Sequence, residues 1–116
     1  MIAMYGLKNC DTCRKARNWL DQNDISHRFH DLRADGLEAG TLARWIAALG
    51  WEALLNRRGT TWRGLDAAER EDVDAVRAQR LMLAYPALIR RPVFDLGDRV
   101  LVGFSAAEQE ILAGSR

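Results

Sequence analysis

Two hydrophobic periods alternate along the chain and divide it into elements. Ile2 to Tyr5 is a short apolar run closed by Gly6, the pattern of a buried strand ending in a turn. From Asp11 the period lengthens. Ala16, Trp19 and Leu20 fall at i, i+3 and i+4, with Arg14, Lys15, Asn18 and Asp21 elsewhere on the wheel, which predicts an amphipathic helix fading at Gln22 to Asp24. The stretch "ISHRFHDL" then predicts a second strand with Ile25 and Phe29 on one side. Strand, helix and strand within about 30 residues make a βαβ unit, whose two strands run parallel.

The centre reads as helical. Leu42, Trp45, Ile46 and Leu49 carry helix spacing, Gly50 is a stop signal, and a second short helical segment covers Trp51 to Leu55. "NRRGTTWRGL" interrupts as a polar loop with Gly59 and Gly64, after which a helical pattern runs from Asp66 to Tyr85 and ends at Pro86. The tail changes period again: "PVFDLGDRVLVGF" predicts an antiparallel hairpin about Gly97-Asp98. Ser105 to Leu112 predicts a closing helix with Ser105 as N-cap and Glu108 at the capping-box position. The order βαβ, helical block, ββα predicts an α/β fold: one domain over residues 1–116 with a thioredoxin-like core and an all-helical insertion at roughly residues 37–87 between its halves.

Composition narrows the function classes. Hydrophobic residues make up 48% and charged residues 28%, the balance of an ordinary globular protein. No segment approaches the roughly 20 consecutive apolar residues of a spanning helix. "MIAMYGLKNC" meets Lys8, Asp11 and Arg14 before a long apolar region develops, so no secretory signal is read and the expected compartment is the cytoplasm. A net charge of +1 gives no support for binding nucleic acid or an anionic membrane. The basic residues are nevertheless clustered: Lys8, Arg14, Lys15 and Arg17; Arg57, Arg58 and Arg63; Arg90 and Arg91. Singly, each group reads as a solvated face. Convergence of the three would make an anion site.

Cys10 and Cys13 are the only cysteines. In a reducing compartment two thiols this close are functional groups before they are a structural bridge. With His27 and His30 they superficially resemble a zinc-finger spacing, but two histidines an odd number apart on a strand point to opposite faces and cannot close on one ion. Redox chemistry suits the spacing better. Cys10 falls in the turn before the helix and Cys13 in its first turn, on the same face and within disulfide reach. The helix N-terminus stabilises a thiolate there, Arg14 adds charge, and a Cys10 pKa below about 8.5 is expected. Packing alone is the alternative role for Cys13.

The segments "MYGLKNCDTCRKARNWL", "FHDLRADGL", "LGWEALLNRRGTTWRGLD", "LMLAYPALIRRPV" and "LVGF" together resemble the ArsC-related reductase family, most closely its YffB branch, along nearly the whole chain. The resemblance implies a thioredoxin-like core with a helical insertion, Cys10 as nucleophile, glutathione as co-substrate with no bound cofactor, and anion-binding arginines. Arg91, before the core proline Pro92, is one; Arg58 or its neighbour Arg57 is that of the inserted region; Arg14 also matches. It further implies a cis Arg91-Pro92 bond. Arsenate reductases of the family carry a histidine four residues before the nucleophile, where this chain has Gly6, which counts against arsenate turnover. The pair Cys10 and Cys13 with "CRKA" is also similar to Spx-type regulators. That implies the alternative: a protein that binds RNA polymerase, switched by a Cys10–Cys13 disulfide.

Overall fold

The computed structural model describes residues 1–115. The chain runs through β1 (Ile2–Gly6), α1 (Asp11–Gln22), β2 (His27–Asp31), α2 (Ala39–Leu49), α3 (Trp51–Leu54), α4 (Thr60–Arg63), α5 (Ala67–Arg70), α6 (Ala75–Ala84), a 3₁₀ turn at Pro86–Leu88, β3 (Val93–Asp95), β4 (Val100–Val102) and α7 (Ala106–Gly114). It forms two compact units, Met1–Asp35 together with the chain from Arg91 onward, and Gly36–Arg90.

The first unit is built on a four-stranded sheet in the order β2-β1-β3-β4. β1 and β2 are parallel, as a helical crossover requires, while β3 is antiparallel to β1 and to β4. Residues in register share a face. Phe29, Met4, Phe94 and Leu101 therefore form one apolar row across all four strands. α1 adds Cys13, Ala16 and Leu20 to this cluster and α7 adds Leu112. Met4 and Phe94 are fully buried, and each such side chain contributes about 1.5–3 kcal/mol by leaving water. Trp19 closes the margin of the cluster edge-on to Phe104, with centroids 5.5 Å apart. The hairpin turns at Gly97, whose φ of 89° lies in the left-handed region open to glycine. This α/β arrangement is thioredoxin-like, and its consequence for chemistry is local: α1 starts directly beyond the end of the central strand β1.

The second unit is helical. α2, α3 and α6 pack on one another and bury Leu42, Trp45, Leu54, Leu81 and Met82. An antiparallel bridge between Leu55 and Ile89 ties the residue after α3 to the end of the unit, flanked by Asn56 N–H to Leu88 O and Arg90 N–H to Leu54 O, both at 2.7 Å. Two details differ from the sequence expectation. "NRRGTTWRGL" is not all loop, because α4 closes a single turn between Gly59 and Gly64, too short to leave a periodic trace. The helix read over 66–85 is broken. Asp72 takes a φ of 49° and Asp74 caps a new helix, its Oδ1 accepting Arg77 N–H at 2.9 Å. The Arg77 guanidinium meanwhile donates to Ala68 O and Glu71 O, satisfying carbonyls at the end of α5.

Candidate active site

Beyond Gly6 the chain turns through Leu7, Lys8 and Asn9. Cys10 N–H donates to Leu7 O at 3.3 Å and closes the turn, and Cys10 O accepts Arg14 N–H at 3.0 Å, the first bond of α1. Cys10 is thus the N-cap residue, extended at φ −105° and ψ 122°, and no side-chain hydrogen bond caps the helix. The first-turn N–H groups and the positive end of the helix dipole are left beside a thiol.

Three groups act on the Cys10 sulfur. Partial burial works to raise its pKa, but the Cys13 N–H, the Cys13 thiol and the Arg91 guanidinium outweigh it and bring Cys10 below the ordinary 9.0. Cys13 moves the other way. It is 1% exposed, and burial, together with the neighbouring Cys10 charge, pushes its thiol up to about 12 against the help of the Leu7 N–H. Both cysteines are unbridged. The two thiols thereby divide the work, one ionising readily and the other remaining a proton donor beside it.

Arg91 and Pro92 arrive from the other side of the insertion. The Arg91-Pro92 bond is cis, and Pro92 O accepts Gly103 N–H at 2.8 Å, anchoring the segment to the residue after β4. Of the residues expected to join the site, Cys10, Cys13 and Arg91 meet, with Pro92 next in the chain. Arg14 turns its guanidinium to Asp11 Oδ1 at 2.8 Å on the surface, so the cation acting on Cys10 is Arg91. Arg17 lies over the Phe29 ring at 4.3 Å. His27 Nδ1 contacts Ile25 O at 3.0 Å, whereas the His30 ring lies tilted against Tyr5 with centroids 4.6 Å apart, so the two histidines serve different neighbours.

In the helical unit, Arg57 and Arg58 are held differently. The Arg57 guanidinium lies 5.1 Å from the Trp51 ring centroid and 5.8 Å from that of Trp62. Arg58 is fixed by its backbone: its N–H donates to Asn56 Oδ1 at 3.0 Å and its carbonyl accepts Arg63 Nη1 at 2.9 Å. Sequence reasoning also missed Asp31. It is 5% exposed and its carboxylate accepts Lys8 N–H in the turn before Cys10 at 3.0 Å. The available signal was a charged residue closing a strand just before the turn "RADG".

The ArsC family model matches residues 5–112. This chain belongs to the ArsC family. It is similar to the solved structure of the YFFB protein, with 46% identity, a TM-score of 0.93 and coverage of 97% of this chain and 99% of that one. An arsenate reductase (ArsC) related protein from Brucella melitensis is also 46% identical, with a TM-score of 0.77 over 95% of this chain and 92% of that one. Global transcriptional regulator Spx of Streptococcus mutans is 29% identical over 118 residues, covering 97% of this chain and 82% of its own.

Proposed function

We propose that this ArsC-family protein is a glutathione-dependent thiol–disulfide reductase of the cytoplasm, a single domain with Cys10 as nucleophile. The observation that carries the reading is the Cys10 sulfur itself, placed at the start of α1 and lowered in pKa by Cys13 and Arg91. A thiol so placed is the attacking group of disulfide exchange. The Cys10 thiolate attacks the glutathione sulfur of a mixed disulfide; the S–S bond breaks, and its electron pair leaves on the substrate thiolate, which takes a proton from water. Arg91 and the first-turn N–H groups stabilise negative charge on the reacting sulfurs. Glutathione thiolate then attacks the adduct, releasing oxidised glutathione and restoring the Cys10 thiolate.

Cys13 offers a second route, attacking the adduct to give a Cys10–Cys13 disulfide that glutathione reduces. Burial, the largest influence holding the Cys13 thiol in its protonated form, persists in the adduct and favours external glutathione. Pro92, Arg14 and Arg58 enter as substrate-binding residues through the sequence resemblance. Gly6 in place of the family histidine makes arsenate the less favoured substrate.

The pair Cys10 and Cys13 and the Spx relative favour one further reading, a redox-switched regulator that binds RNA polymerase. Purified protein supplied with a glutathionylated peptide or with arsenate, each with and without glutathione, separates the two. Glutathione-dependent release of the peptide thiol is the expected result. No turnover of either substrate, together with binding of purified RNA polymerase that is altered by oxidation to the internal disulfide, establishes the regulator instead.

A further inference from the structure

Asp31 ends β2 and stands opposite Gly6, which ends β1. Its carboxylate is buried and takes three main-chain hydrogen bonds. Oδ1 accepts Arg33 N–H and Ala34 N–H, each at 2.8 Å, and closes the turn after its own strand. Oδ2 reaches the neighbouring strand's turn and accepts Lys8 N–H at 3.0 Å. Leu32 N–H to Gly6 O at 2.8 Å and Cys10 N–H to Leu7 O at 3.3 Å complete the connection between the two strand ends. Asp31 N–H donates to Asp35 Oδ2 at 3.0 Å.

A buried carboxylate is costly unless hydrogen-bonded. Closing the turn after β2 uses one oxygen, whereas the second is committed to a turn that contributes nothing to β2. That turn delivers the nucleophile. We infer that Asp31 is a positioning residue for Cys10: through Oδ2 it fixes the Leu7–Asn9 turn and so sets the thiol at the start of α1, in reach of Cys13 and Arg91. Burial works to raise the Asp31 carboxyl, but the N–H groups of Ala34, Arg33 and Lys8, aided by the Lys8 charge, hold it below the usual carboxylate range. The link is therefore intact at neutral pH.

This inference rests on Cys10 being the reactive thiol, and the test keeps the two claims apart. Asp31→Asn preserves an oxygen for Arg33 and Ala34 but can set an NH₂ group against Lys8 N–H, donor facing donor. Charge and positioning predict opposite signs. Removing a negative charge near a thiol lowers its pKa, whereas loosening the turn takes the sulfur away from its stabilising partners and raises it. In the full chain, the pH dependence of iodoacetamide alkylation is followed at the Cys10 peptide by mass spectrometry. The midpoint is expected to rise by about half a unit in Asp31→Asn, making alkylation below it about threefold slower.

An unchanged or lowered midpoint, with wild-type Cys10 reacting faster than free cysteine, overturns the positioning role alone. A wild-type Cys10 no more reactive than free cysteine overturns the reductase reading and this inference with it. A second measurement needs no variant. In an acid titration of the wild-type amide spectrum, Lys8 should shift with the same midpoint as Arg33 and Ala34. A Lys8 amide that ignores this midpoint overturns the link.

Discussion

A β-carbon placed on Gly6 would lie 2.5 Å from Cys13 Sγ. The sulfur occupies the space that any side chain at position 6 needs, on a residue whose side chain is too short to swing clear. In this chain a side chain at position 6 and the Cys13 thiol thus compete for one space.

Gly6→Ala should therefore destabilise the protein by about 1–3 kcal/mol, the ordinary cost of overpacking a filled core. Removing the sulfur as well, in Gly6→Ala with Cys13→Ala, should recover part of that loss, a positive coupling in a double-mutant cycle read by urea unfolding. Additive losses would show that the two positions do not compete for space.

Alkylation should separate the cysteines. Cys10 is expected to react at neutral pH faster than free cysteine and Cys13 to remain unmodified until the protein unfolds, as their opposite pKa shifts require. Cys13→Ala removes a hydrogen-bond donor from the thiolate and should raise the Cys10 pKa; Cys13→Ser, which keeps a hydroxyl donor, should raise it less. Equal labelling of both thiols in folded protein would contradict the division of roles.

The parts of this site legible in sequence are those with a local signal. Cys10 and Cys13 announce themselves by spacing at a strand-to-helix change, and the hairpin about Gly97 by turn chemistry. Long-range side-chain pairings carry no such signal. Arg14 and Asp11 are a local i, i+3 pair on α1, whereas Arg91, separated from Cys10 by the whole helical unit, entered the site only through the family resemblance. Asp31 was hidden for a different reason: its place before a turn was visible, but its bond to the Lys8 N–H, 23 residues away, leaves no mark on the sequence. The break at Asp72 and Asp74 escaped because charged residues fit an exposed helix as well as a cap.

Arg91→Ala should leave the fold intact and lower kcat/KM for a glutathionylated peptide by roughly 10- to 100-fold, the loss of a charge-assisted hydrogen bond of about 1.5–3 kcal/mol. The Cys10 pKa should rise at the same time, because the guanidinium favours its ionised form. Arg91→Lys keeps a charge without the planar fork and should fall between. A variant with normal turnover and an unshifted thiol would remove Arg91 from the site.

Stability at alkaline pH should carry the signature of Cys13. Unfolded, its thiol ionises near the ordinary 9.0, whereas in the folded protein it holds its proton to about 12. Between those values the unfolded state has given up a proton that the native state still binds, so stability falls as pH rises, by at most about 1.4 kcal/mol per pH unit from this group. Cys10 contributes the opposite trend in a lower window: its depressed folded pKa stabilises the native state above the ordinary thiol value, and that contribution is lost as pH falls through the folded pKa. Above the ordinary value Cys10 is ionised in both states and adds no slope. Lysines and tyrosines also titrate in the alkaline range, so the measurement is a difference of differences, taken above the Cys10 window: urea unfolding of wild type and Cys13→Ala at about pH 9.5 and about pH 11. Wild type should lose more stability between the two than the variant does. Equal losses would mean that the buried thiol ionises as easily in the folded protein as in the unfolded chain, and that Cys13 is no proton donor to Cys10.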